Sequence, residues 1–512
     1  MGISWADTSF QHNSELPTCK SKWRGLINKN LHHYDYHKDG KYKVNGNFGY
    51  HHTYLKRIDR RNCKKEWTFL VFMAADNDLT PYALWDIYEM ESGYNKEKRY
   101  NGSTLKMDLL VELDTFKNKD EIRRYHIFQT GKPYNSHLNI DFWNQRTWRS
   151  VRSPVVQNDL REINLSHPIT QAQRLQEYIE WGMEEYPSEK LAVIIWGHGQ
   201  GNLVATDESQ NMGINIFELK DVLQHVKAKR NGRTIDLLIN DACLMQTLEV
   251  VTELSDQTRY IIGPETRQSF LGLPYRRIFH EINNGTWNTD AGGQNWRFQE
   301  KDEAYKLALM IPELVKSSFN PNGPMKGLQS YGDKENYKTM IVSSIATDPY
   351  REEFLTSLTQ FSETFFQFIQ ENKDHQFELL MLISQSYGFF GEAKEFGLFL
   401  GAIEGYLRNE LNVSYSVFAQ SSGEVLLKQI EMVLNYLDKS IVSKVYGSRY
   451  SKEIFSDYAQ LINYFKGISF VGPSSPESYE SSKESLFRYK LYNQATDGFW
   501  RKWFESLYTP PD

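Results

Sequence analysis

Two residues of this chain combine a reactive side chain with a setting that would expose it. His198 stands between Gly197 and Gly199, directly after the apolar run Leu191–Trp196. Cys243 comes shortly after the strand-like run Ile235–Asn240. Each run has the length and apolar continuity of a strand buried on both faces. In an open parallel sheet, functional groups collect beyond the carboxyl ends of the strands. Neighbouring strands lie about 4.8 Å apart. If these two are neighbours, a thiol meets an imidazole. A thiolate is a good nucleophile near neutral pH, and an imidazole can hold it and later protonate a leaving amine. The N–H groups of Gly199 and Cys243 would then suit an oxyanion hole. Residues 244–255 read as a helix, which would put Cys243 at a helix amino terminus, where the dipole favours a thiolate. Singly, each residue has an ordinary explanation: a small buried filler for the cysteine, an exposed turn for the histidine. Their joint placement at successive strand ends is what points to chemistry.

Such a pair needs a sheet to hold it, and the surrounding pattern predicts one. Trp67–Ala74, Met107–Leu113, Arg123–Gln129 and Tyr260–Gly263 read as further strands. A helix over 81–94 follows the start signals Asp78 and Thr80-Pro81. Pro168 opens an amphipathic helix with Ile169, Ala172, Leu175, Ile179 and Met183 on one face, closed by Pro187. A helix over 217–228 leads into the cysteine strand. This alternation predicts an α/β fold with a mainly parallel sheet covered on both faces. Residues 284–300 read as a Gly/Asn-rich connection. Beyond it the pattern predicts a strand at 340–342, helices over 348–372, 376–387, 422–438 and 453–465, a strand within 466–473 and an aromatic helix Phe499–Tyr508. The predicted organisation is a basic polar arm or pro-segment over 1–66, a catalytic domain over 67–284, and a mixed, largely helical C-terminal α+β region over 285–512 packed on it.

Composition narrows the class. At 512 residues the chain exceeds what one small core needs. Residues 1–65 carry 13 Lys/Arg against 5 Asp/Glu, whereas the whole chain has a net charge of −6, so the body is acidic. A basic arm on an acidic body fits attraction to that body as well as it fits any polyanion, and nucleic acid is not expected as a partner. The arm's histidines, His32, His33, His37, His51 and His52 among them, follow no common zinc spacing. No apolar run is long enough to span a membrane. Met1–Asp7 lacks the basic and apolar stretches of a signal peptide. Three cysteines, Cys19, Cys63 and Cys243, make no disulfide framework. A monomer is expected.

The blocks Trp196-Gly197-His198-Gly199-Gln200-Gly201 and Asn240-Asp241-Ala242-Cys243-Leu244-Met245 resemble the two signature blocks of the clostripain family of cysteine peptidases. That family is related to caspases, gingipains and separase. Phe72-Met73-Ala74-Ala75-Asp76-Asn77-Asp78-Leu79 and Tyr88-Glu89-Met90-Glu91 are similar to the same family. The resemblance runs from about Trp67 to Val471 and weakens beyond 285. It implies a caspase-like three-layer α/β sandwich and a dyad of Cys243 and His198, with no third orienting residue required. It also implies cleavage after Arg or Lys in protein or peptide substrates, and it allows a secreted or cell-envelope enzyme. Asp241 matches the family's acidic pocket position, where a carboxylate can pair with a guanidinium or ammonium group; the competing role is a cap for the next helix. A second pocket acid would be Glu265, although this chain has Pro264-Glu265 where the family commonly has Ser-Glu. Some relatives use calcium, for which Asp76, Asn77 and Asp78 are candidates, against an Asx-turn or cap; no other metal or cofactor is expected. Relatives are self-processed, and the basic stretches Lys56–Arg61 and Lys227–Arg233 are candidate sites. The rival readings are a catalytically silent binding protein of the same fold and a cysteine transpeptidase.

Overall fold

The computed structural model describes residues 64–92, 101–104, 106–116, 122–129, 143–153, 155–160, 169–209, 211–284, 302–319, 336–412, 420–447, 450 and 462–508, and three short strands before them. Those three, Asp35–Tyr36, Tyr42–Val44 and Asn47–Gly49, pair antiparallel within the segment expected to be an arm. The other strands are β1 (Lys65–Ala75), β2 (Met107–Thr115), β3 (Ile122–His126), β4 (Val155–Leu160), β5 (Ser188–Trp196), β6 (Leu203–Asp207), β7 (Met212–Asn215), β8 (Ile235–Asp241), β9 (Thr258–Pro264), β10 (Ile341–Ala346) and β11 (Ile441–Tyr446). A small sheet of Gly388–Phe390, Ala393–Glu395 and Ser469–Val471 lies apart from them.

Nine of the strands form one sheet in the order β11-β10-β9-β8-β5-β1-β2-β3-β4. The inner five, β9 to β2, run parallel. The outer strands are antiparallel. The histidine strand β5 and the cysteine strand β8 are neighbours, with Asp241 beside Trp196.

The inner strands are continuously apolar because both faces are covered. Leu70, Phe72, Val193, Ile195, Leu238 and Ile261 point into one core. Phe69, Val71, Ala192, Ile194, Leu237, Ile239 and Ile262 point into the other. The first core is closed by helices α2 (Gln171–Glu185), α3 (Ile216–Lys229) and α4 (Leu248–Leu254), which follow α1 (Thr80–Glu91) in the chain. The second is closed by α1, α5 (Tyr275–Asn284) and α6 (Glu303–Phe319). The result is the caspase-like three-layer α/β sandwich. Thr170 and Gln173 form a capping box that starts α2 at Gln171, which satisfies otherwise orphaned amides.

The region beyond residue 285 completes this sheet. β10 and β11 extend its edge, and β11 carries Lys444, a charge that suits an edge strand. Helices α7 (Leu355–Glu371), α8 (Phe396–Asn412), α9 (Gln420–Ser440) and α10 (Phe499–Tyr508) contribute to the same core as Val193 and Leu238. The aromatic richness is used here: Trp503 of α10 packs on Phe365 of α7 with ring centroids 5.2 Å apart. Neither α6 nor β11 was legible in the sequence pattern. Most of the helix expected over 453–465 lies outside the described residues.

Candidate active site

Beyond the end of β5 the chain turns sharply. Gly197 has φ +148°, and a side chain there would press on Ala74 O, so glycine is required. The His198 carbonyl accepts from Ala205 N–H at 3.0 Å, and Gln200 N–H donates to Leu203 O at 2.9 Å. These bonds pin the turn to β6 and leave the Gly199 N–H outside the bridge. Gly199 lies directly on the cysteine: a Cβ there would stand 2.5 Å from Cys243 O and 3.1 Å from Cys243 N. The two predicted reactive residues are therefore brought together at adjacent strand ends.

Cys243 sits in a turn, not at a helix start. Leu244 takes φ +62°, which costs a leucine roughly 1–2 kcal/mol. Leu244 N–H donates to Thr266 O at 3.0 Å and Gln246 N–H to Pro264 O at 3.1 Å. The loop after β9 claims these amides, so the helix expected from 244 begins only at Leu248, capped by Thr247. The dipole argument for the thiolate is thus corrected. Instead, the Gln268 N–H donates to Cys243 Sγ at 3.2 Å, and such a donor favours negative charge on sulfur.

Asp78 joins the histidine. Its Oδ1 lies 2.7 Å from His198 Nε2. It does not cap α1, whose first turn has no side-chain cap. A carboxylate can only accept, so Nε2 carries the proton and Nδ1 keeps the lone pair of the neutral ring. The side chain of Asp78 is 68% exposed, which limits such a pair to at most about 1 kcal/mol. Asp78→Ala is accordingly expected to lower kcat by a factor of about five with little change in KM. ¹⁵N NMR of the imidazole should show the loss of the single tautomer. Unchanged kcat and tautomer would remove Asp78 from the site.

Asp241 ends β8 with its carboxylate buried. Oδ1 accepts from Gln268 Nε2 at 3.1 Å; Oδ2 accepts from Leu273 N–H at 3.1 Å and from Tyr275 OH at 2.8 Å. Burial nevertheless pushes its pKa up to about 6. It does not cap α4, which is capped by Thr247. Beside it stands Asp86 of α1. A Cβ on Gly272 would lie 2.8 Å from Asp241 Oδ2 and 2.9 Å from Asp86 Oδ2. Asp86 Oδ2 accepts from the Trp196 indole N–H at 2.7 Å, whereas the buried Oδ1 has no hydrogen-bond partner. Burial, then the charges of Asp241 and Glu89, hold Asp86 well above the usual carboxylate range.

Glu265 is not part of this cluster. Strand side chains alternate between faces. Asp241 shares its face with Leu237 and Ile239, while Glu265 follows Ile261 and Gly263 on the opposite face. There it is buried, and burial followed by repulsion from Glu395 raises its pKa well above normal. The expectation that Glu265 joins Asp241 is corrected: Asp86 is the neighbouring acid.

The contiguous calcium candidates are separated by the fold. Asn77 makes the Asx-turn, its Oδ1 accepting from Leu79 N–H at 2.9 Å and its Nδ2 donating to Thr206 O at 2.8 Å. Asp78 is committed to His198. Asp76 and Asn77 are both buried, whereas Asp78 is exposed.

Residues 71–296 match the sequence profile of the clostripain family. This segment belongs to the clostripain family. The curated clostripain of Hathewaya histolytica is 24% identical over 294 residues, covering 51% of this chain and 52% of that protein. The chain thus spans about half the length of the curated relative it matches. A secreted C11 cysteine protease of Bacteroides thetaiotaomicron superposes with a TM-score of 0.50 at 13% identity, over 85% of this chain and 99% of its own. At that identity the likeness speaks for the fold. A second structure of a secreted C11 cysteine protease from the same organism, in complex with an irreversible peptide inhibitor, gives 0.49 at 16% identity over 84% and 99%. The matched segment contains β5, β8 and both candidate reactive residues, His198 and Cys243.

Proposed function

We propose that this clostripain-family chain is a cysteine endopeptidase that cleaves after Arg or Lys. The observation that carries the reading is the packing of Gly199 on the Cys243 main chain, which joins the His198 turn to the cysteine turn. In this reading the Cys243 thiolate attacks the scissile carbonyl. The Gly199 and Cys243 N–H groups receive the developing oxyanion. His198, with Asp78 on Nε2, takes the thiol proton at Nδ1 and delivers it to the leaving amine as the C–N bond breaks; Nδ1 then takes a proton from the water that hydrolyses the Cys243 thioester and returns it to the sulfur. Asp241 and its neighbour Asp86 supply negative charge for the substrate's cationic side chain, since a buried carboxylate pair is relieved by a bound cation. The test is a panel of fluorogenic peptides differing only in the residue before the scissile bond. Arg and Lys should dominate kcat/KM, Arg ahead if the contact is bidentate. A preference for Asp or apolar residues would contradict the pocket, and no turnover of any peptide would favour the silent binding protein.

Self-processing belongs to the same proposal, and the arm is the favoured site. The other candidate, Lys227–Arg233, is a tightly bonded turn: Gly232 N–H donates to Lys227 O at 2.9 Å, and Arg230 pairs with Asp236 at 3.1 Å. Lys56–Arg61 lies outside the described residues. Mass spectrometry of the wild type should find a cut after a basic residue before Lys65, absent from Cys243→Ala. An intact, fully active chain would exclude it.

A further inference from the structure

We infer that Gln268 is a further specificity-determining residue, the one that gives arginine its lead over lysine in the Asp241 pocket. The inference rests on the pocket reading above and names the group that tells the two cations apart.

Gln268 lies in the loop after β9, which reaches both the cysteine turn and the end of β8. Its main-chain N–H donates to Cys243 Sγ at 3.2 Å, while its side-chain Nε2 donates to Asp241 Oδ1 at 3.1 Å. One residue therefore touches the candidate nucleophile with its backbone and the candidate pocket acid with its amide. The loop is fixed on either side of it. Thr266 O accepts from Leu244 N–H at 3.0 Å, and Gly272 N–H donates to Ser269 O at 2.9 Å. Leu273 N–H then donates to Asp241 Oδ2 at 3.1 Å.

The orientation of the amide follows from its partner. A carboxylate can only accept, so the NH2 end faces Asp241 and Oε1 is the end left over. Gln268 is 7% exposed, and this oxygen has no hydrogen-bond partner among the described residues. A bare buried carbonyl is unfavourable until a donor reaches it. The O and N of an amide are about 2.2 Å apart, which puts Oε1 within about 5.3 Å of Asp241 Oδ1.

Lysine and arginine serve such acceptors differently. An ammonium donates from one atom. A guanidinium donates five N–H groups from three nitrogens fixed in a plane. One nitrogen can pair with Asp241 while another reaches Gln268 Oε1. Asp86, beside the same carboxylate across Gly272, adds a second bare acceptor, Oδ1. Acceptors spread around one site suit a fork better than a point charge.

The test compares peptides ending in Arg and in Lys on the full-length wild type, Gln268→Met and Gln268→Glu. It is run at about pH 8.5, above the raised pKa of Asp241. Met matches Gln in length and has no carbonyl, whereas Glu keeps an acceptor oxygen. In Gln268→Met, kcat/KM should fall about tenfold for the Arg peptide and no more than about threefold for the Lys peptide, with the difference in KM. In Gln268→Glu the Arg-to-Lys ratio should stay within about twofold of the wild type. Its acid limb for the Arg peptide should move to higher pH, because a second carboxylate beside Asp241 raises the pKa of the pair. Thermal melts of the same preparations report folding. Should Gln268→Met not fold, Gln268→Asn, whose shorter amide withdraws the oxygen, should show the same fall in the ratio. Equal losses for the two peptides would overturn the inference alone and leave Gln268 a scaffold residue. A wild type that prefers neither Arg nor Lys would overturn the pocket reading and this inference together.

Discussion

Cys243→Ala and His198→Ala are each expected to lower kcat by on the order of 10⁴-fold or more, with the double mutant little worse than either. In the proposed dyad the two act as one unit, so losing one leaves the other without a task. Folding should survive. His198 is in a turn, with a half-buried ring. Cys243 is half-buried, and its removal leaves the Gln268 amide without its sulfur acceptor, at a cost of about 1 kcal/mol. Steady-state kinetics beside thermal melts of the same preparations make the check. A purified Cys243→Ala chain that retains appreciable turnover would place the nucleophile elsewhere.

The second large effect is on specificity. Asp241→Asn should lower kcat/KM for Arg and Lys substrates by about 2–5 kcal/mol of lost pairing, which is roughly thirty- to several-thousand-fold. A substrate with a neutral residue at that position should change far less. The wild type should also show a pH signature. In the free enzyme burial raises Asp241 to about 6. A bound cation favours the ionised form, so attraction is complete above that value and lost as pH falls through it. The acid limb of kcat/KM should therefore be steeper for Arg peptides than for neutral ones, and Asp241→Asn should flatten the difference. Coincident acid limbs would mean that Asp241 is a scaffold acceptor for Leu273 and Tyr275 and nothing more.

What the sequence disclosed follows from which signals are local. The inner strands are doubly buried, so Trp67–Ala74, Leu191–Trp196 and Ile235–Asn240 stand out as apolar runs. The Gly-His-Gly turn and the cysteine are one-dimensional motifs, and the fold needed only to make their strands neighbours. Long-range pairing is what the linear pattern hides. Asp78 and His198 are 120 residues apart and meet because β1 pairs with β5. Glu265 was misplaced for a related reason. Its face is set by the register of β8 on β9, Ile239 beside Ile262, and register is a property of two strands, not of one. The helix expected after Cys243 failed because the loop at 264–266 binds the amides of Leu244 and Gln246. Strand β11 was missed because its edge position breaks the apolar run with Ser443 and Lys444.

The central claim is that Cys243 is a nucleophile aimed at peptides with a basic residue before the cut. It is tested most directly by incubating the wild-type chain with a peptide electrophile ending in Arg and mapping the adduct by mass spectrometry. The account predicts one covalent label, on Cys243. It also predicts strong suppression in Asp241→Asn, loss in Cys243→Ala, and much slower labelling by the same reagent ending in Asp or Leu. A label on another residue, or labelling of Cys243 at equal rates by Arg- and Leu-ending reagents, would contradict it.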